Sequence, residues 1–206
     1  MKINNAIYLQ KIIYDNRNLF NDEIISDIAC GSAWISKEIT RVSNPKYINA
    51  IDVRDEWIKK RGNHLHPKIF FYKEDIYKYK KLHKIIENSN ILIYFGHFYH
   101  SAKHEEIINN FSKTNAKHLF LESKMMDFEL AEKQTPEIGW NFESTEEYLN
   151  SYSKYQKKLY VGEPNFYYTK NLLTKHGWLI DWYEQGYWQN LNFRKKIQYV
   201  IHATRI

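Results

Sequence analysis

Three acidic residues and a run of small ones follow short apolar stretches in this chain, each where a ligand-binding turn would fall. The segment Ser26-Asp27-Ile28-Ala29-Cys30-Gly31-Ser32-Ala33 joins an apolar run to a helical one. Its small residues let the backbone approach a ligand closely. An acid at Asp27 suits a ligand's ammonium group and disfavours a pyrophosphate, which prefers an uncluttered, electropositive helix N-terminus. Asp52 lies 21 residues beyond Gly31, near the ~20 expected of an acid that accepts from ribose hydroxyls. A carboxylate takes both hydroxyl protons at once, so the residue type follows from the chemistry. Asp75 is placed to accept from an adenine amino group, with Ile76 beside the ring. Each acid has a plainer alternative. Asp27 could bond to backbone amides in an ordinary turn, Asp52 could cap a helix at Glu56-Trp57, and Asp75 could be a solvated loop acid. The dinucleotide pattern G-x-G-x-x-G is missing, since Gly31, Ala33 and Ser36 occupy that spacing.

A second group sits further along. His97 and His100 follow the fourth apolar run, among Phe95, Phe98 and Tyr99. With an ordinary pKa near 6.5, either could act as a general base, or serve as a hydrogen-bonded structural group. Glu122, closing the fifth run, could orient a histidine or hold a substrate. His100 and His104 stand four apart with Glu105 next, as ligands on one helix face can. No third ligand completes the set, so no metal is expected. Cys30, inside the first turn, reads as a packed small residue rather than a nucleophile.

The elements that must position these groups alternate between short β-branched or aromatic runs and longer helical ones, an order that argues for a parallel sheet. A helix is predicted over Ala6–Leu19, then strands Ile24–Ile28 and Tyr47–Ile51 flanking a helix from Trp34 to about Val42. Further strands are Lys68–Tyr72, Asn90–Phe95 and His118–Leu121, with a helix over Ala102–Phe111. Asn90–Phe95 is nearly unbroken apolar sequence, as a central parallel strand requires. Residues 127–163 are polar and aromatic, and residues 127–165 are expected to form a lid over the acceptor. A helix over Asn165–His176 precedes two strands, Trp178–Tyr183 and Ile197–Ala203, that could pair antiparallel. In such a sheet, ligands bind beyond the carboxyl ends of the strands, where the acids and small residues fall.

Composition narrows the class. The 206 residues suit one α/β domain, spanning 1–206, and 43% are hydrophobic, as in a globular chain. No run approaches the ~18 apolar residues of a membrane helix, and the N-terminal segment lacks signal-peptide character. One cysteine excludes an internal disulfide, and a cytoplasmic setting is expected. The formal charge of +6 favours polyanions, RNA included. Lys78-Tyr79-Lys80-Lys81-Leu82-His83-Lys84 and Lys154-Tyr155-Gln156-Lys157-Lys158 interleave cations with aromatics as RNA-binding surfaces do, although solvated helix faces read the same way.

Taken together, the motifs resemble the class I S-adenosylmethionine (SAM) dependent methyltransferases. The family opens on an acid, an apolar residue and a glycine-rich Gly-Cys-Gly turn. Here it reads Asp27-Ile28-Ala29-Cys30-Gly31-Ser32-Ala33, with alanine in place of two glycines. Ile51-Asp52-Val53 resembles the second motif and Glu74-Asp75-Ile76 the third, while Asn90 replaces the acid that often opens strand four. The resemblance implies a Rossmann-like α/β fold, a three-layer sandwich around a mostly parallel seven-stranded sheet ending in an antiparallel pair. It also implies SAM as cofactor, held by Asp27, Ala29, Cys30, Gly31, Asp52, Val53, Asp75, Ile76 and Phe95. The activity implied is methyl transfer to a small molecule or nucleoside, with His97, His100 and Glu122 as catalytic candidates. Phe95-Gly96-His97-Phe98-Tyr99-His100 and Leu119-Phe120-Leu121-Glu122-Ser123 are also similar to the wobble-uridine tRNA carboxymethyltransferase group. A SAM-binding regulator without transferase activity and a SAM-cleaving lyase are the alternatives.

Overall fold

The computed structural model describes residues 5–54, 66–125, 128–144, 158–189 and 195–206. In chain order the elements are α1 (Asn5–Asp15), β1 (Ile24–Ile28), α2 (Trp34–Val42), β2 (Tyr47–Asp52), β3 (Ile69–Lys73), α3 (Tyr79–Ile86) and β4 (Ile91–Tyr94). They continue with α4 (His104–Phe111), β5 (His118–Met125), α5 (Phe128–Glu132), β6 (Ile138–Ser144), β7 (Lys158–Pro164), α6 (Phe166–Lys175), β8 (Trp178–Gln189) and β9 (Lys195–Arg205). Seven strands form one sheet in the order β3-β2-β1-β4-β5-β9-β8. The first five are parallel, and β9 runs antiparallel to both β5 and β8.

Alternation along the central strands builds the layers. Ile91 and Ile93 of β4 and Phe120 of β5 face a core shared with Leu9, Ile12, Ile13, Ile35 and Ile39 of α1 and α2. Leu92, Tyr94, Leu119 and Leu121 face the opposite core, with Leu82, Ile86, Ile107, Phe111 and Leu173 of α3, α4 and α6. This is the three-layer arrangement expected from the sequence. Each such aliphatic side chain, fully buried, contributes roughly 1.5–3 kcal/mol. All four residues of β4 are buried, so the strand that carries His97 just past its end is fixed from both faces.

Several boundaries differ from expectation. The first helix ends at Asp15, and a 3₁₀ turn takes over at Arg17–Phe20. β5 continues to Met125 because β9 pairs with it along its whole length, from His118 with Thr204 to Met125 with Ile197. Glu122 therefore lies inside a strand, opposite Val200, rather than at its end. β8 and β9 run to twelve and eleven residues. The expected lid region contains α5 and an antiparallel hairpin, β6 with β7. β7 lies against β5 and the 3₁₀ turn Phe98–His100. There Gly162 N–H donates to Ser101 O at 2.9 Å. A methyl group on Gly162 would stand 2.9 Å from His104 Cε1 and 3.0 Å from Ile138, so the hairpin is seated closely.

Candidate functional site

The carboxyl ends of β1, β2 and β4 adjoin, since β1 pairs with both β2 and β4. In an open α/β sheet this switch point is where a ligand crevice forms. The turn after β1 is unusual in its backbone. Ala29, Gly31 and Ala33 all adopt left-handed φ, at 57°, 51° and 53°. Only glycine takes that conformation freely, and an alanine there costs on the order of 1–2 kcal/mol. The turn is held by Cys30 N–H on Ile51 O at 2.9 Å and by Ala33 N–H on Cys30 O at 2.8 Å. The Cys30 thiol is buried, and burial together with the nearby Asp27 and Asp52 charges pushes its pKa up. That suits packing, not nucleophilic attack.

Asp27 is almost fully buried in β1 and accepts from Ser36 Oγ at 2.6 Å. Burial pushes its pKa up to about 7, against the bonds from Ser36, which lower it. Asp52 is 3% exposed and fully engaged. Its Oδ2 accepts from Gly31 N–H at 2.8 Å, and its Oδ1 from Arg54 N–H at 2.9 Å. The Arg54 guanidinium adds Nε to Oδ1 at 3.0 Å and Nη2 to Oδ2 at 3.3 Å. Val53, between them, is half-buried. The helix that Asp52 was expected to cap, at Glu56-Trp57, lies outside the described residues. Asp75 closes the turn before α3, where its Oδ1 accepts from Tyr77 N–H at 3.0 Å, and Ile76 beside it is buried.

Past β4, Gly96 turns the chain at φ 77° and Phe95 is buried. His97 Nδ1 lies 2.7 Å from Tyr94 Oη. Burial pushes the His97 pKa down to about 3, and the nearby His100 adds to the shift. The ring is therefore neutral at physiological pH. The His100 ring stands 6.2 Å from it and 4.2 Å from Tyr99. Glu122 is fully buried, and accepts from Gly96 N–H and from Gln198 Nε2, the latter at 2.7 Å. Burial raises its pKa. Glu122 thus touches the histidine-bearing turn through backbone, one residue before His97. His104 packs against Phe98 and β7: its Nε2 lies 3.1 Å from Phe98 O and burial pushes its pKa down to about 4. His100 and His104 do not share a ligand set, and among the described residues no group of three His, Cys, Asp or Glu could hold a metal.

The sequence reading missed Arg54, Tyr94 and Gln198. Tyr94 stands three residues before His97, a spacing that could have been noticed. Gln198 gives no such signal, because it reaches Glu122 only through sheet pairing. Of the aromatic segment assigned to the lid, Trp140 is 47% exposed. Tyr148, Tyr152 and Tyr155 lie outside the described residues, as do Lys154 and Lys157.

No family profile matches the sequence, and no curated protein sequence matches it. Solved structures do match. A SAM-dependent methyltransferase of Mesorhizobium loti superposes with a TM-score of 0.67 at 11% identity, covering 97% of each chain. One from Methanosarcina mazei gives 0.61 at 16% identity, covering 100% of this chain and 99% of its own. The magnesium protoporphyrin IX methyltransferase of Synechocystis, with S-adenosylhomocysteine (SAH) bound, gives 0.62 at 9% identity, covering 100% and 89%. At these identities the likeness is one of fold.

Proposed function

We propose that this chain, which has the fold of the class I SAM-dependent methyltransferases, binds SAM across β1, β2 and β4 and transfers its methyl group to a small molecule or nucleoside. The observation that carries the reading is the convergence of groups from those three strands. Asp52 bonds the β1 turn at Gly31 N–H, and His97 past β4 feels the charges of Asp52 and Arg54. The residue types fit the cofactor. Asp27, whose pKa burial raises to about 7, would be drawn into its ionised form by the cofactor's ammonium. Asp52 supplies a carboxylate for its ribose hydroxyls, and Asp75 and Ile76 are proposed to flank its adenine. SAM, when bound, supplies an activated methyl group on a sulfonium.

The chain's own contribution is alignment and proton handling. Holding donor and acceptor in line can contribute roughly 7–11 kcal/mol. An acceptor that keeps its proton needs a base; His97 is neutral and so able to accept one, though weakly while burial holds its pKa near 3. With the proton on Nδ1, donated to Tyr94 Oη, its Nε2 lone pair is free to accept. Phe98 is fully buried in the core and so is not open to an acceptor, while Phe95 and Tyr99, 7% and 5% exposed, flank the turn and are proposed to border the acceptor. The hairpin β6–β7 is proposed as the lid. Small acceptors are in keeping with two fold neighbours, the 1,6-didemethyltoxoflavin-N1-methyltransferase of Burkholderia thailandensis with bound 1,6-didemethyltoxoflavin and the magnesium protoporphyrin IX methyltransferase.

The test is release of SAH from SAM, measured with and without panels of nucleosides and small heteroaromatic or phenolic acceptors. Asp52→Ala should abolish SAM binding in calorimetry, and unchanged affinity would remove Asp52 from the site. A second reading, a SAM-binding protein without transferase activity, is favoured by the strained alanines of the first turn. It would bind SAH yet release none with any acceptor. SAM consumption without an acceptor would mark a lyase instead.

A further inference from the structure

The carboxylate proposed to hold the cofactor ribose already has every place taken. Asp52 offers two oxygens, about four acceptor positions in all, and four donors meet them. Two are backbone amides, from Gly31 and Arg54 itself, fixed by the turns that carry them. The other two are the Nε and Nη2 of one guanidinium, 3.0 and 3.3 Å away. A ribose presents two adjacent hydroxyls as a pair of donors. The positions they require are those the guanidinium fork fills.

The Arg54 side chain also lies over the first turn. A methyl group on Gly31 would stand 3.5 Å from Arg54 Nη2. Ligand and guanidinium therefore compete for the same oxygens and for the room above Gly31. Arg54 is 30% exposed at its side chain, whereas Asp52 is 3% exposed, so the arginine is the partner able to leave.

Resting on the assignment of Asp52 to the ribose, we propose that Arg54 is an internal competitor for the ribose site, and that it sets the affinity and selectivity of this chain for its cofactor. Binding exchanges an ion pair for two neutral hydroxyl contacts, which lowers affinity below what the carboxylate alone would give. Displaced but tethered, the guanidinium stays near the cleft and adds positive charge. SAM bears a net positive charge and SAH does not, so Arg54 disfavours SAM more than SAH. The chain would then hold its product more tightly, relative to its donor, than one without the arginine.

The experiment is titration calorimetry of SAM and SAH into the wild-type chain and into Arg54→Ala and Arg54→Gln, with thermal melting of each unliganded protein as the control for folding. Asp52 retains its two backbone donors in both variants, and Gln can restore one further contact. The expected result is that both variants bind SAH about three- to tenfold more tightly, and SAM by a larger factor. An arginine that merely braced the site would give the opposite sign. Unchanged or weaker binding by folded variants would overturn the competitor and leave the cofactor assignment standing, since SAH would still bind. Failure of wild type and variants alike to bind SAM or SAH would overturn that assignment, and this inference with it.

Discussion

At the scale of single residues, the left-handed alanines of the first turn carry the clearest cost. Replacing Ala29 and Ala33 by glycine removes a steric penalty of about 1–2 kcal/mol at each, partly offset by the greater freedom of unfolded glycine, roughly 0.5–1 kcal/mol. The double variant should gain about 1 kcal/mol in urea unfolding and hold SAH at least as tightly. A loss of stability would show the alanines to be unstrained. His97 supports a separate expectation. Substituting His97 and His100 together by Asn should lower turnover by roughly a hundred- to ten-thousand-fold if a base is needed, with SAH affinity little changed. Equal turnover would reject both as catalysts. The acids stand out in the sequence because a carboxylate closing an apolar run is a local signal, and the structure places Asp27 within β1, Asp52 at the end of β2 and Asp75 two residues past β3. The guanidinium on Asp52 was not, since nothing in Asp52-Val53-Arg54 says whether the side chain turns back or out.

At the scale of elements, Glu122 joins two strands that lie far apart in the chain. It bonds Gly96 N–H beyond β4 and Gln198 on β9, 76 residues away. Glu122→Ala leaves both donors unpaired in a buried place, which costs about 1–3 kcal/mol. Glu122→Gln keeps an acceptor and should cost less. A drop in the urea midpoint for Ala, with most of it recovered by Gln, is the expected pattern. Equal midpoints for both variants would show the contact to be dispensable. The sequence suggested Glu122 as a substrate or histidine ligand because the apolar run stops at Leu121. The strand nevertheless continues, since Glu122 and Ser123 are buried polar residues whose pairing with β9 no local pattern announces. The hairpin β6–β7 was likewise hidden, since the stretch expected to form the lid reads in sequence only as polar and aromatic.

For the molecule as a whole, buried ionisable groups set the response to acid. Burial holds His97 near 3 and His104 and His202 each near 4, and also lowers His118. Each titrates near 6.5 once unfolded, so between 6.5 and about 4 the unfolded chain binds more protons. Stability then falls as pH falls, by up to about 1.4 kcal/mol per pH unit for each fully buried group. Asp27, near 7, and Glu122, also raised, act in the opposite direction, because the folded chain binds their protons first. The three histidines held near 3 or 4 outweigh the two acids only once their unfolded counterparts are mostly protonated, below about pH 6. The urea midpoint should therefore fall from about pH 6 to about pH 5, and a flat or rising profile there would contradict the lowered pKa values of these rings. The order of strands and helices, by contrast, was largely readable, because β4 is apolar throughout and α1, α2 and α4 carry one-sided patterns.

The position of β9 has a consequence for how the protein is made. Although β8 precedes it in the chain, β9 lies between β5 and β8 in the sheet. During synthesis from the N-terminus, β8 has no sheet neighbour until β9 has followed it out of the ribosome. Gln198 arrives with β9, so the Glu122 bridge to the histidine turn is completed only then. The β1–β2 half of the cleft, with Asp27 and Asp52, can assemble much earlier. A nascent chain stalled before β9 would present the proposed ribose half of its pocket long before the half proposed to handle the acceptor.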